Sequence, residues 1–358
     1  MASIDLHKIP TVSAGKQTGI ILVNWNGWAD TLECLESIFG MVGFGGPIVV
    51  CDNGSTDNSL KIIRDWAGGR ICALPQSQSP QIRDLVISAI PKPIKLASLA
   101  PNDSDAAQDF WRRGYRLWIV PIGFNSGFAA ANNVAIRLLH SIQDVGHFWL
   151  LNNDTVVTAS AYKALLASVS NIRGPTIAGS VLAEYWFPNC VQARGATFNR
   201  YFSTLKHNGQ GEMLEKLAAF DATEVVDYPI GASLIVNREY VDEIGLLSEE
   251  YFLYFEEMDW VIRGEGQATP FVVRDSIVFH KGGSATKSGR NSSERSNLAD
   301  YYWIRGRIIL SGKVSPIAFA LTLSICSLVS FKRLLKSNAG AFVNVWRAIV
   351  HGCKAVLF

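Results

Sequence analysis

Three short stretches hold side chains that can do chemistry together. The first is Phe148-Trp149-Leu150-Leu151-Asn152-Asn153-Asp154, four bulky apolar residues ending in three short polar ones. Such an apolar run reads as a buried strand. A carboxylate at its C-terminal end stands where open α/β sheets bind ligands. A leaving diphosphate carries two negative charges, and a hard divalent cation with oxygen ligands neutralises them. Asp154 offers such a ligand, and His280, at the end of another predicted strand, offers a second. The plainer account is an Asx turn closing an ordinary strand, with a structural histidine elsewhere.

The second stretch is Cys51-Asp52-Asn53-Gly54-Ser55-Thr56-Asp57. A carboxylate just past a buried strand can accept a hydrogen bond from a base or ribose, while Ser55, Thr56 or Asp57 caps the next helix. The third is Glu256-Glu257-Met258-Asp259, three carboxylates in four residues after an aromatic run that reads as a strand. A carboxylate among carboxylates has a raised pKa and suits a general base. A solvated helix N-terminus, where acidic residues are favoured by the dipole, explains the same cluster.

These stretches need strands to place them. Apolar runs at 19–24, 47–51, 117–120 and 148–151 predict strands, and the intervening segments carry helical spacing. Asp30 and Glu33 have capping-box spacing for the first helix. Strand–helix alternation predicts an α/β fold with a parallel sheet. Residues 68–114, punctuated by five prolines, read as a partly mobile excursion from it. Beyond Arg173 shorter strands are predicted at 177–182, 191–198, 223–228, 231–236 and 271–279. The Gly/Ser-rich stretch 282–297, with Lys287 and Arg290, reads as a flexible basic loop that closes over a diphosphate.

The 358 residues are 48% hydrophobic, enough for one large domain or two fused ones. Eight of the 33 Lys/Arg, and none of the 31 Asp/Glu, lie from Tyr301 onward. A basic, hydrophobic tail on an acidic body points to an anionic membrane surface rather than nucleic acid. Residues 314–331 are uncharged, but Pro316 and five Ser/Thr make an interfacial segment, or a helix packed in the core, as good a reading as a membrane span. The six cysteines have no zinc or redox spacing, which suits a reducing compartment, and residues 1–16 lack a secretory apolar core.

From Gly19 to about Gly283 the chain resembles the family 2 glycosyltransferases of the GT-A fold, most of all the bacterial rhamnosyltransferase-like branch. The resemblance lies in six stretches in order: Ile21–Asn26, Asp52–Asp57, Asn125–Asn133, Leu150–Asp154, Phe252–Trp260 and Phe279–Gly283. It implies a mostly parallel nucleotide-binding sheet flanked by helices, here followed by a helical, membrane-associating extension. The boundaries are a tail at 1–18, a GT-A domain at 19–297 and the extension at 298–358.

The resemblance also implies a nucleotide-sugar donor, with dTDP-rhamnose the one that the branch suggests, and a divalent cation, Mg²⁺ or Mn²⁺. The sugar would pass with inversion to a lipid-linked or polysaccharide acceptor in cell-surface glycan synthesis. By motif, Asn24, Asp52, Asn125, Gly127, Asn152 and Asn153 fall on the donor side, with Lys287 and Arg290 from the basic loop. Asp154 and His280 take the metal, and Glu257 holds the base position. Two departures stand out. Asn152 replaces the first Asp of the metal motif, and Glu257 stands where Asp is usual, so Asp259 is the rival base. The expected setting is cytoplasmic, on the inner face of the inner membrane, with a homodimer through the extension as an option. Two other classes remain open: a sugar-phosphate nucleotidyltransferase, whose Gly-rich signature loop the first strand lacks, and a catalytically silent scaffold.

Overall fold

The computed structural model describes residues 16–87, 90–282, 297–335 and 339–357. It opens with strand–helix alternation: β1 (Gln17–Asn24), α1 (Trp28–Phe39), β2 (Ile48–Asp52) and α2 (Ser59–Ala67). Next come α3 (Pro80–Val86), β3 (Leu96–Ser98), α4 (Ser104–Arg112), β4 (Leu117–Pro121), α5 (Phe128–His140), β5 (Val145–Asn152), β6 (Thr155–Val157) and α6 (Ala161–Val169). The second half supplies β7 (Ile177–Glu184), β8 (Val191–Ala193), β9 (Ala196–Asn199), β10 (Thr204–His207), β11 (Thr223–Val225), β12 (Ser233–Asn237), α7 (Arg238–Ile244), α8 (Glu256–Arg263) and β13 (Phe271–His280). Three helices follow: α9 (Asn297–Val314), α10 (Pro316–Leu335) and α11 (Ala339–Leu357).

One sheet organises the body, in the order β11-β13-β7-β12-β5-β1-β2-β4-β3, with β6 on β13 and β8 on β7. The five strands from β5 to β3 are parallel. β12 enters antiparallel to both β5 and β7, and β7 and β13 are parallel again. This is the expected α/β architecture, with parallel pairing concentrated in its N-terminal half. The middle strands are apolar on both faces because helices cover both. Ile21, Val49, Trp118 and Leu150 face a core shared with α5, α8 and α9. Their neighbours Ile20, Leu22, Val50 and Trp149 face α1, α2 and α6. Gly19 makes room on β1, since a Cβ there would stand 2.6 Å from Leu139 Cδ1 of α5.

Several expectations need correcting. Residues 68–114 fold into α3, β3 and α4, and β3 adds a parallel edge strand to β4. α4 is capped by Asp103, whose side chain accepts from the Ala106 N–H at 3.0 Å. Asp30 and Glu33 do not form a capping box: α1 starts at Trp28 after Gly27 with no side-chain cap. The stretch 191–198 is two strands, broken at Gly195 with φ +70°. The aromatic run 251–255 is a turn, in which Tyr254 and Phe255 both hold left-handed φ values, 69° and 73°. Pro316, which weakens the membrane-span reading, opens α10, capped by Ser315, whose hydroxyl accepts from the Ala318 N–H at 3.1 Å.

The C-terminal helices build their own small core from Ile304, Ile308, Cys326, Val345, Ala348 and Ile349. Thr322 and Ser330 of the uncharged run lie buried within this bundle. Among the described residues no helix is long and apolar enough to cross a membrane.

Candidate active site

The register of the parallel strands puts Asn24 beside Asp52, and Val23 beside Asn152, at one sheet edge. The buried Asn24 amide donates to Asp52 Oδ1 at 2.8 Å and to Ser55 Oγ at 3.0 Å, and it accepts from Thr31 Oγ1 at 2.8 Å. Asp52 Oδ2 takes the Ser55 N–H at 3.1 Å. Asn24 is therefore spent on holding Asp52 rather than on reaching outward. Asp52 uses one acceptor site on each oxygen and keeps others for a ligand. Asn153 turns the other way, its amide donating to Thr31 Oγ1 at 3.0 Å and Gly27 O at 3.4 Å.

A second loop locks onto this row. Asn53 Oδ1 accepts from both the backbone and the hydroxyl of Ser126 at 2.9 Å, and Asn53 Nδ2 donates to Asn125 Oδ1 at 3.0 Å. Gly127 has φ +89°, and a Cβ there would stand 2.6 Å from Phe252 O. That carbonyl takes the Phe128 N–H at 2.8 Å. Gly127 is thus the point where the loop from β4 meets the 250–255 turn, and only glycine suits both the angle and the approach.

Asp154 and His280 are brought together. Pairing of β13 with β6 sets His280 opposite Thr155, and His280 Nε2 lies 3.3 Å from Asp154 Oδ1. Gln192 fixes the ring: its amide N–H groups reach Glu184 and the His280 carbonyl, both at 3.4 Å, which turns Oε1 toward His280 Nδ1 at 2.6 Å. Nδ1 then donates, and Nε2 faces the carboxylate, buried and without a hydrogen bond. Burial pushes the imidazole pKa down, but Asp154 and Glu184 outweigh it and the net shift is upward. A buried ring nitrogen with no other partner, 3.3 Å from a carboxylate oxygen, fits a cation shared between them. Among the described residues no group of three His, Cys, Asp or Glu side chains is placed to hold a metal ion. The protein would thus give two ligands and leave the remaining positions to phosphate and water, as Mg²⁺ sites usually do.

Beside this pair lies a network that sequence reasoning missed. Lys281 is buried and pairs with Asp30 Oδ1 at 2.6 Å and Glu33 Oε2 at 2.9 Å. Tyr185 donates to the same Glu33 oxygen at 2.8 Å. The acidic face of α1 thus anchors the residue next to His280, which is what the Asp30/Glu33 spacing encodes.

The acidic trio starts α8, but it is not solvated: Glu256 and Asp259 are buried. Glu257 lies against Gly231, where a Cβ would fall on its carboxylate. Gly231 immediately precedes Ala232, whose carbonyl takes the Asn152 N–H at 3.0 Å. Glu257 therefore joins the same sheet edge as Asn152. Burial raises its pKa to about 7. Burial, then the charge of Glu257, raises Glu256 well above the ordinary value, and Glu256 Oε2 is buried without a partner. Asp259 is committed elsewhere: Oδ2 to Arg263 at 2.9 Å, and Oδ1 to Lys313 at 2.9 Å and the Tyr251 hydroxyl at 3.4 Å. Two consecutive left-handed residues before α8 cost roughly 1–3 kcal/mol each, so surrounding contacts must hold this turn. Lys287 and Arg290 lie outside the described residues.

No protein-family profile matches the sequence, and no curated protein matches it. Solved structures do. One is S. aureus TarS 1–349, at 11% identity and TM-score 0.44, covering 94% of this chain and 91% of that one. The same protein with UDP-GlcNAc gives 11% and 0.46, covering 94% and 81%. The mannosyltransferase PcManGT from Pyrobaculum calidifontis, in complex with GDP-Man and Mn²⁺, gives 12% and 0.47, covering 96% and 88%. At such identities and scores the likeness carries nothing about residues or chemistry, which rest on the geometry above.

Proposed function

We propose that the chain is a metal-dependent, inverting glycosyltransferase of the GT-A type that draws its sugar from a nucleoside diphosphate donor. One observation carries this reading: the Glu257 carboxylate lies against Gly231 at the sheet edge that also holds Asp52, Asn152 and the Asp154–His280 pair. Asp52, Asn152 and the Asn125–Gly127 loop form the donor side, steadied by Asn24 and Asn153. Asp154 and His280 would hold a divalent cation, which when bound neutralises the leaving diphosphate. Lys287 and Arg290 are proposed to approach that diphosphate from the loop after β13.

In the transfer step Glu257 takes the proton of the acceptor hydroxyl. The oxygen attacks the anomeric carbon from the face opposite the diphosphate, the C–O bond to the sugar forms, and the bond to the diphosphate breaks. A base with pKa near neutrality is deprotonated often enough to accept the proton and weakly enough to release it. Asp259, with both oxygens engaged, steadies α8 instead of sharing that role. Rhamnose from dTDP-rhamnose is the proposed sugar, and a lipid-linked or polysaccharide chain the proposed acceptor.

The C-terminal helices are proposed to rest on an anionic membrane, on the cytoplasmic face of the inner membrane. α11 exposes Val343, Trp346, Arg347, Val350, Lys354 and Leu357 at helical spacing, and no acidic residue follows Asp300. Apolar and basic groups on one stripe suit the lipid boundary. Flotation with anionic vesicles tests this. Full-length protein should rise and the Trp346→Asp/Val350→Asp variant should not. Equal flotation of both would remove the membrane role, and a doubled mass that the variant halves would assign the stripe to a homodimer.

The test of the function is a panel of nucleotide-sugars with Mn²⁺ or Mg²⁺, read by release of nucleoside diphosphate. One donor should be turned over, and both EDTA and Asp154→Ala should stop the reaction. Full turnover in EDTA would overturn the metal requirement, and no turnover of any donor would favour the silent scaffold.

A further inference from the structure

Helix α9 belongs to the C-terminal bundle by sequence, yet one of its faces is laid along the turn that delivers Glu257. Tyr302 stacks on Phe252 with centroids 4.4 Å apart and planes 18° apart. Trp303 packs on Tyr254 and Phe255 at 5.4 and 4.9 Å. Gly306 gives the turn its clearance: a Cβ there would stand 3.0 Å from Tyr254 O and 2.9 Å from Phe255 Cδ2. Arg305 donates to the Glu250 carbonyl at 2.8 Å. One residue before the helix ends, Lys313 Nζ lies 2.9 Å from Asp259 Oδ1 and 2.9 Å from Glu250 Oε2, over the Tyr251 ring at 4.9 Å. Positions 302, 303, 306 and 313 share a helical face, and that face contacts the turn from its first residue to the first turns of α8.

Lys313 spans both ends of this segment. Glu250 precedes the two left-handed residues and Asp259 follows them, two positions beyond Glu257. Asp259 is buried, and its neutralising cations are Arg263 of its own helix and Lys313 of α9. Without Lys313 the Glu250 carboxylate loses its link to α9, where only the Arg305 bond to the Glu250 carbonyl remains, and Asp259 keeps Arg263 as its one cationic partner.

We propose that Lys313 is a positioning residue for sugar transfer: from the C-terminal unit it clamps Glu250 and Asp259, and so sets where Glu257 points. This rests on the reading of Glu257 as the base. Because α9 also packs on α11, with Gly312 against Val356 and Gly352 against Ile308, the C-terminal unit is part of the active-site support. Deleting it would remove that support together with any docking surface.

Glu256 on α8 and Tyr228 before β12 feel the charge of Glu257 directly, while Tyr240, Tyr251 and Lys313 face Asp259 and its neighbours Glu250 and Arg263. Loss of the Lys313 charge leaves the acidic groups less compensated, so Glu257 should hold its proton to higher pH.

The test compares full-length Lys313→Met and Lys313→Arg with wild type, by hydrogen exchange over residues 250–258 and by steady-state kinetics across pH. Lys313→Met should speed exchange in that segment while β1 stays protected. It should lower kcat about 10- to 100-fold, with donor KM changed less than about threefold, and move the acid limb of kcat upward. Lys313→Arg should restore all of these. Unchanged exchange and an unmoved limb in Lys313→Met would overturn the proposal, as would a Lys313→Arg variant as impaired as the Met one. A wild type that turns over no donor would overturn the glycosyltransferase reading, and the exchange comparison would still decide whether Lys313 holds the turn.

Discussion

At the carboxyl ends of β1, β2 and β5, short polar side chains hold one another: Asn24 holds Asp52, Asn53 holds Ser126, and Asn153 holds Thr31. At residues 250–259 the contacts are of another kind: Glu257 lies against Gly231, Asp259 pairs with the cations Arg263 and Lys313, and Phe255 packs on Trp303 of α9. The first region is closed by hydrogen bonds among its own short polar side chains. The second contains two consecutive left-handed residues, the buried Glu256 and the half-buried Glu257, both with raised pKa values. The difference matches a division of labour. Donor recognition needs a preformed row of acceptors, whereas proton abstraction needs one carboxylate kept from water and ion pairs.

The largest expected effect is on the second region. Glu257→Gln keeps the shape and removes the proton acceptor, so kcat should fall by roughly 10²–10⁴-fold with donor affinity nearly unchanged. If Asp259→Asn shows that pattern and Glu257→Gln does not, the two regions divide differently and Asp259 is the base. Gly231→Ala should push the Glu257 carboxylate aside and lower kcat by up to about 10²-fold, again sparing donor affinity. A variant with wild-type kcat would mean that the contact between Gly231 and Glu257 does not matter to the chemistry.

The smallest effect belongs to the first region. Asp52→Asn keeps one oxygen for Ser55 but sets its NH2 against the Asn24 amide and removes the charge, so donor Kd should rise about tenfold or more, with kcat changed much less. Calorimetry with donor and metal reads the Kd. A large loss of kcat without loss of binding would break the comparison, since Asp52 would then act on the reacting atoms.

The same contrast explains what the sequence made legible. Apolar runs that end in short polar residues announced β1, β2 and β5 with their edge groups, because strand and edge residues are adjacent in the chain. Six motifs in order extended this to the α/β layout. The turn at 251–255 was misread as a strand because aromatic residues have strand propensity, and the α9 contacts that bend it come from about fifty residues downstream. Asp30 and Glu33 carried a true acidic signal whose partner, Lys281, no local spacing reveals. Lys313 was counted only as part of a basic tail.

The central claim is that Glu257, kept protonatable by burial, is the base. Its raised pKa has two consequences of opposite sign. Catalysis needs the carboxylate, so kcat should rise with pH through about 7 and then level off. Stability runs the other way: the folded state binds the proton more tightly than the unfolded chain, so stability should fall as pH climbs from the ordinary value of 4.5 toward 7. Glu257→Gln should lessen that slope.

The most direct measurement is the pH profile of kcat at saturating donor, metal and acceptor, for wild type and Glu257→Gln. The account predicts an acid limb near pH 7 in the wild type and a flat residual rate in the variant. The same limb persisting in Glu257→Gln would contradict it, because some other group would then be titrating in the transfer step.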